Sequence, residues 1–256
     1  MSDLYIFQII GGKYVKIPDS VSKIWKNKLP NYNYTILNDK NSTSFLSKNF
    51  NKEIVSAFYP GDSKWKADLL RFCLLYKYAG IYCDVDTIPH NLNLLPNDID
   101  TIMCIGAHSP PKHGLSPLPK GEIHIGFIKC NTPDPLFLNY INWMTPKRIA
   151  TGEPYAINIQ GLYIFLCKRL SVNEIKPFTT YIDPVTKRSY YFIREIFVNN
   201  KYKMIDKDNN IIIHSQELPH ETFMDDSTIK LNLKNMNNMN NMKNMKNMNN
   251  IISNKK

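Results

Sequence analysis

One 24-residue stretch constrains this chain more than any other: KADLLRFCLLYKYAGIYCDVDTIP, Lys66 to Pro89. Leu69, Phe72, Cys73 and Tyr76 recur at helical spacing, the stripe of a helix that buries one face. Asp62 or Ser63 is placed to cap its start and Gly80 to end it. A short apolar run, IYC, follows, and then two aspartates one residue apart. Carboxylates that close repel each other unless a cation or a proton lies between them. The segment therefore asks for a sheet under its helix and for a positive partner at its end.

The flanking sequence supplies the sheet. Leu4–Ile10 is an apolar run closed by two glycines and reads as a strand. A helix capped by Asp19 or Ser20 and ended before Pro30 follows, then a strand at Tyr32–Asp39 and a helix at Ser42–Phe58. Strand, helix, strand, helix opens an α/β domain with a mostly parallel central sheet flanked by helices. Further strands are expected at Asp100–Ala107, Glu122–Cys130, Tyr190–Val198 and within Lys203–His214, with helices at Asp134–Met144 and Ile159–Leu170. The Pro- and Gly-rich HSPPKHGLSPLPKG between two of these strands reads as a loop of functional length.

Composition excludes several classes. The net charge of +10 suggests an anionic partner, but six lysines and no acids fall within Ile229–Lys256, so the remaining chain is only mildly basic. No dense Arg/Lys stripe with interleaved aromatics exists, and no nucleic-acid partner is expected. The tail repeats Met at 236, 239, 242, 245 and 248 with Asn between, a period of three that matches no helix face. Residues 229–256 are thus expected to be a disordered low-complexity tail, typical of an AT-rich genome such as a virus's or a protist's, and residues 1–228 the folded domain. The five cysteines are odd in number and lack C-x-x-C spacing, which fits free thiols in a reducing compartment and a soluble, cytoplasmic protein. The N-terminal MSDLYIFQIIGGKY does not read as a signal peptide, and no membrane span is expected.

The chemistry-bearing candidates follow from spacing. Residues i and i+2 of an extended chain share a face, so Asp84 and Asp86 at a strand end are expected to point into one cleft. Two hard oxygen donors there suit Mn²⁺ or Mg²⁺. Asp68 and Arg71 are neighbours on one helix face, which serves equally for a solvated salt bridge or for the border of that cleft. His214, at the end of IIIH, is a further candidate ligand, because imidazole commonly binds metal; His220 is a lesser one. His108, His113 and His124 read as surface on the acceptor side.

Ala67-Asp68, Arg71, Leu75-Tyr76, Gly80, Tyr82, Asp84 and Asp86 stand in the register of the DXD-containing sugar-binding signature of glycosyltransferase family 32. The block also resembles that of the large clostridial glucosylating toxins. Ala79 replaces the usual first glycine, FQII stands where the family has HQIW, Ile125 stands where an Asn is usual, and only Gly161 remains of a TGP turn. The resemblance runs from about Leu4 to His220 and implies a GT-A type nucleotide-sugar-binding fold. It implies metal-dependent transfer of a sugar, with retention, from a nucleotide donor, UDP-linked in the first instance, to a glycan, protein or lipid acceptor in polysaccharide or glycoprotein biosynthesis. On that reading Asp86 binds the metal, Asp84 meets metal-bound water or the donor, Asp68 and Arg71 hold sugar hydroxyls, Tyr82 sits near the donor and Phe7 stacks on the base. Three rivals compete: a catalytically degenerate sugar-nucleotide or glycan binder, a DXD phosphatase of the haloacid-dehalogenase type, whose motif normally lies on the first strand, and a nucleic-acid binder resting on the tail alone.

Overall fold

The computed structural model describes residues 3–11, 16–59, 61–107, 121–151, 154–199 and 201–215. The Pro-rich loop, the tail, His108, His113 and His220 lie outside the described residues. The chain opens with β1 (Leu4–Ile9), α1 (Asp19–Lys28), β2 (Asn33–Leu37), α2 (Asp39–Asn49), α3 (Lys52–Phe58), α4 (Ser63–Lys77), β3 (Ala79–Cys83) and β4 (Thr87–Pro89). It continues through β5 (Thr101–Ile105), β6 (Ile123–Cys130), α5 (Pro135–Thr151), α6 (Pro154–Arg169), β7 (Thr180–Ile182), β8 (Ser189–Val198), β9 (Lys201–Ile205) and β10 (Ile211–Ser215).

The α/β class expected from the sequence is present. Among the described residues the strands form one sheet in the order β2-β1-β3-β6-β5-β8-β9-β10-β4, with β7 beside β8. Parallel pairing links β2, β1 and β3, and again β5 and β8. β6 runs antiparallel to both of its neighbours, and β8, β9, β10 and β4 form an antiparallel run. Only a three-residue turn separates β3 from β4, yet β4 pairs at the far end of the strand order. The sheet therefore curls until its last strands return beside β3.

Each face carries a core. Phe7, Leu69, Phe72, Tyr82, Phe137 and Tyr140 pack on the side of α4 and α5, while Ile6, Trp25, Ile81, Cys83, Phe127 and Ile213 pack on the side of α1. Alternation along β1 and β3 sends successive side chains to opposite cores. All five cysteines are free thiols, four of them buried as small hydrophobes. No described helix is long and apolar enough to cross a membrane.

Two local expectations are corrected. The single helix expected at Ser42–Phe58 is two helices, because Asn38 and Asn51 each cap one: Asn38 accepts from the Lys40 and Asn41 amides, and Asn51 from the Ile54 amide. Gly80 does not end α4, whose cap is Tyr78; it lies within β3 at φ +140. A Cβ there would sit 2.1 Å from the Tyr5 carbonyl oxygen, so glycine lets β3 lie flush against β1.

Candidate active site

The two aspartates arrive on a turn, not on an extended strand. The Asp84 amide donates to the Gly126 carbonyl at 2.9 Å, and the Thr87 amide donates back to the Asp84 carbonyl at 3.0 Å. That second bond closes a four-residue β-turn from Asp84 to Thr87, so the face-sharing rule for strands does not apply. The turn is gripped from behind. Gln8 Nε2 donates to the Asp84 carbonyl at 3.0 Å, the Tyr34 hydroxyl donates to Gln8 Oε1, and Trp25 Nε1 donates to the Thr87 carbonyl at 2.8 Å. Gln8 and Trp25 are fully buried, so the polar residue in the apolar run LYIFQII is explained by the backbone it satisfies.

Helix α4 settles the ambiguity of Asp68 and Arg71 in favour of the cleft. Both are buried, at 6% and 4% exposure, and Arg71 NH2 lies 2.6 Å from Asp68 Oδ1. The same guanidinium reaches Asp84 Oδ1 at 3.4 Å, donates to the Ile125 carbonyl, and lies over the Tyr82 ring at 4.4 Å. Arg71 thus joins α4, the turn and β6 through one rigid fork, a geometry lysine cannot supply. Tyr82 is 1% exposed and donates its hydroxyl to Asp84 Oδ1 at 2.6 Å. It supports Asp84 from below and offers no open ring to a donor.

Asp84 therefore has one oxygen committed to Tyr82 and Arg71, while Oδ2 faces the other way. A Cβ on Gly126 would stand 2.7 Å from that Oδ2 and 2.5 Å from His124 Nε2, so glycine leaves the space into which carboxylate and imidazole both project. His124 is held by Glu195 of β8, whose Oε1 lies 3.0 Å from His124 Nδ1. Burial alone would lower the His124 pKa, but the hydrogen bond and charge of Glu195, with the charge of Asp84, outweigh it and raise it. Asp86 is pushed up to about 6, first by burial and then by Asp84, with His124 opposing.

Asp68, Arg71, Asp84, Val85, His124 and Gly126 are among the residues lining one cleft of about 420 Å³. Sequence spacing directs Asp84 there, leaves Asp68 and Arg71 open between a solvated salt bridge and the cleft, reads His124 as surface and gives Glu195 no place. The missed pair joins β6 to β8, a contact no local pattern records; a histidine alternating within an apolar strand was the only signal. Phe7, expected to stack on a base, is 2% exposed and packs against Tyr5 with ring centroids 5.3 Å apart. It faces the helical core because β1 turns its odd-numbered side chains that way. His214 is placed beside His90, ring centroids 6.4 Å apart, and the charges of His90, Lys201 and Lys203 add to burial in lowering its pKa. His124, not His214, is the imidazole that faces Asp84.

The donor set fits a hard divalent cation in part. Asp86 is a carboxylate short of positive partners, and Asp84 Oδ2 projects toward open space. Among the described residues, however, no three His, Cys, Asp or Glu side chains gather closely enough to hold an ion. Two protein carboxylates, completed by water and substrate phosphate oxygens, is the usual arrangement for Mg²⁺ at a phosphate site.

Solved structures similar to this chain include PaToxG glycosyltransferase, at 14% identity and TM-score 0.48 over 66% of this chain and 70% of that one. A197 from STIV is also similar, at 10% identity and TM-score 0.29 over 84% of this chain and 96% of that one. No curated protein sequence matches significantly. The segment from α1 into β5, residues 19–103, which carries Asp68, Arg71, Asp84 and Asp86, matches the family described as "Glycosyltransferase sugar-binding region containing DXD motif".

Proposed function

We propose that this protein is a metal-dependent glycosyltransferase that moves a sugar, with retention, from a nucleotide-sugar donor, UDP-linked in the first instance, to a glycan, protein or lipid acceptor. The observation that carries the reading is the convergence of Asp68, Arg71 and Asp84 on one cleft, within the segment that matches the DXD sugar-binding family; Asp86 stands two residues on in the same turn and is not among the residues that line the cleft. UDP linkage and retention rest on the sequence resemblance.

Asp86 and the free oxygen of Asp84 would hold Mn²⁺ or Mg²⁺; when bound, the cation supplies positive charge to a departing diphosphate. The chain's own groups do the rest. Asp68, oriented by Arg71, accepts from sugar hydroxyls and fixes the sugar's position in the cleft. Arg71 holds Asp68 and Asp84 in register, so both ends of the bound sugar nucleotide meet preset groups and little reorganisation remains at the reacting carbon. Gln8, Tyr34, Trp25 and Tyr82 lock the turn that presents the aspartates.

The test is incubation of the full chain with a panel of UDP- and GDP-sugars and Mn²⁺, following nucleoside diphosphate release. Release from at least one donor, lost with EDTA and in Asp86→Asn, is expected. If no donor binds or breaks down, or if Asp86→Asn turns over like wild type, the proposal fails.

A further inference from the structure

Glu195 is a buried carboxylate that the donor reading leaves without a task. It is 4% exposed, and both its oxygens are engaged: Oε1 lies 3.0 Å from His124 Nδ1, and Oε2 accepts from the Ala107 amide at 2.9 Å. A partner of this kind keeps a proton on Nδ1 and frees the lone pair of Nε2 for another role. Nε2 faces Asp84. A Cβ on Gly126 would stand 2.5 Å from His124 Nε2 and 2.7 Å from Asp84 Oδ2, so the two atoms border one gap that glycine keeps open. Asp84 Oδ1 is meanwhile committed to Tyr82 and Arg71, and Asp84, His124 and Gly126 all line the cleft.

An imidazole with a carboxylate behind one nitrogen and an open space before the other is the arrangement that metal-bound histidines show. The surrounding charge agrees. Glu195 and Asp84 favour a proton on His124 against the effect of burial. The same negative groups attract a divalent cation, which displaces that proton when it binds.

We infer that His124 Nε2 is a nitrogen ligand of the divalent cation, bonded beside Asp84 Oδ2, and that Glu195 is the positioning residue that aims it. This rests on the metal-dependent donor reading above. Asp84 and His124 bond the ion directly, and waters and diphosphate oxygens fill the remaining positions. Among the described residues no three such side chains gather on one point, so Asp86 acts on the ion through water. A nitrogen ligand also sets the choice of metal. Imidazole suits first-row transition ions, whereas Mg²⁺ prefers oxygen ligands throughout, so Mn²⁺ should bind in preference to Mg²⁺.

The ion itself is the probe. Binding of Mn²⁺ and of Mg²⁺ to the full chain, with and without UDP, is measured by calorimetry, and pulsed EPR of bound Mn²⁺ detects a directly bonded nitrogen. Wild type is compared with His124→Ala, His124→Asp, Glu195→Gln and, as a control, His214→Ala, with thermal unfolding as the check on the fold. Nitrogen coupling is expected in wild type and His214→Ala and should vanish in His124→Ala. Mn²⁺ affinity should fall by about 10–100-fold in Glu195→Gln and at least as far in His124→Ala. His124→Asp should recover binding and lose the preference for Mn²⁺ over Mg²⁺. The EPR signal is read on wild type, so it decides the matter even where a variant does not fold. If Mn²⁺ binds and no nitrogen couples to it, or the coupling survives in His124→Ala, the ligand assignment is overturned and the donor reading stands. If Mn²⁺ does not bind even with UDP present, both are overturned together.

Discussion

Asp183 and Asp86 are two acids set into the same fold, and their surroundings push them in opposite directions. Asp183 closes the turn between β7 and β8. It accepts from Arg169 Nε at 2.7 Å, from the Val185 amide at 2.8 Å and from the Thr186 amide at 3.2 Å. Burial works against its charge, but those donors outweigh it and its pKa falls. Asp86 is also driven upward by burial, yet the strongest charge acting on it is another carboxylate, Asp84, and its pKa rises to about 6. A carboxylate that serves structure is ringed by donors the chain supplies. A carboxylate left short of them, as Asp86 is, has the surroundings expected of the ligand-binding role proposed for it.

The sharpest way to break that comparison is turnover. Asp86→Asn should lower nucleoside diphosphate release in Mn²⁺ by about 10²-fold or more, the scale of removing a group that stabilises developing charge. Asp183→Asn should leave turnover per folded molecule unchanged. Stability should then reverse the order. Asp183→Asn is expected to cost about 2–3 kcal/mol in urea unfolding at pH 7, since Arg169 and two amides lose a charged acceptor.

A smaller effect of opposite sign is expected for the metal-free Asp86→Asn protein at pH 7.5, a gain of about 1–2 kcal/mol after allowance for solvent screening. The folded pKa of Asp86 lies above the unfolded value of 3.8. Its penalty is therefore absent below about pH 4, grows as pH rises to about 6, and is complete above that. Asp183 behaves in reverse: its contribution is present at neutral pH and is lost as pH falls through its depressed pKa. Both differences should shrink in acid, from opposite sides, that of Asp86 by about pH 4 and that of Asp183 only below its depressed pKa, and a urea series from about pH 2 to 7.5 reads them out. Equal signs at pH 7.5 would break the comparison.

The smallest effect belongs to Tyr82→Phe. It removes only the hydroxyl donated to Asp84 and should raise the donor KM a few-fold, with stability changed by about 1 kcal/mol. A loss as large as that of Asp86→Asn would mean that Tyr82 does more than position its neighbour.

Much of the fold was legible because its signals are local. The stripe of α4, its cap Asp62, and the apolar runs of β1, β3 and β6 each declare themselves within a few residues. Where the reading slipped, the deciding contact was distant or a neighbouring cap competed. Asn51 splits a helix that periodicity leaves continuous, and Gly80 reads as a helix stop because nothing adjacent in the chain shows the Tyr5 backbone lying against it. The antiparallel run from β8 to β4 was equally hidden, since strand direction is settled by pairing.

The candidate site divides in the same way. The spacing of Asp68, Arg71, Asp84 and Asp86 along one helix–strand unit is legible in the chain as a pattern, but which face each of them meets is not. Helix geometry makes three-apart neighbours of the first two, and a single short strand delivers the others. What only the tertiary structure decided is how the charges are completed. Pairing of β6 with β3 sets His124 against Asp84, and β8, the next strand but one, places Glu195 behind it, while β1 turns Phe7 into the core and β10 carries His214 to a cluster of cations. Electrostatic partners are chosen by proximity in space, and a sequence records proximity only along the chain.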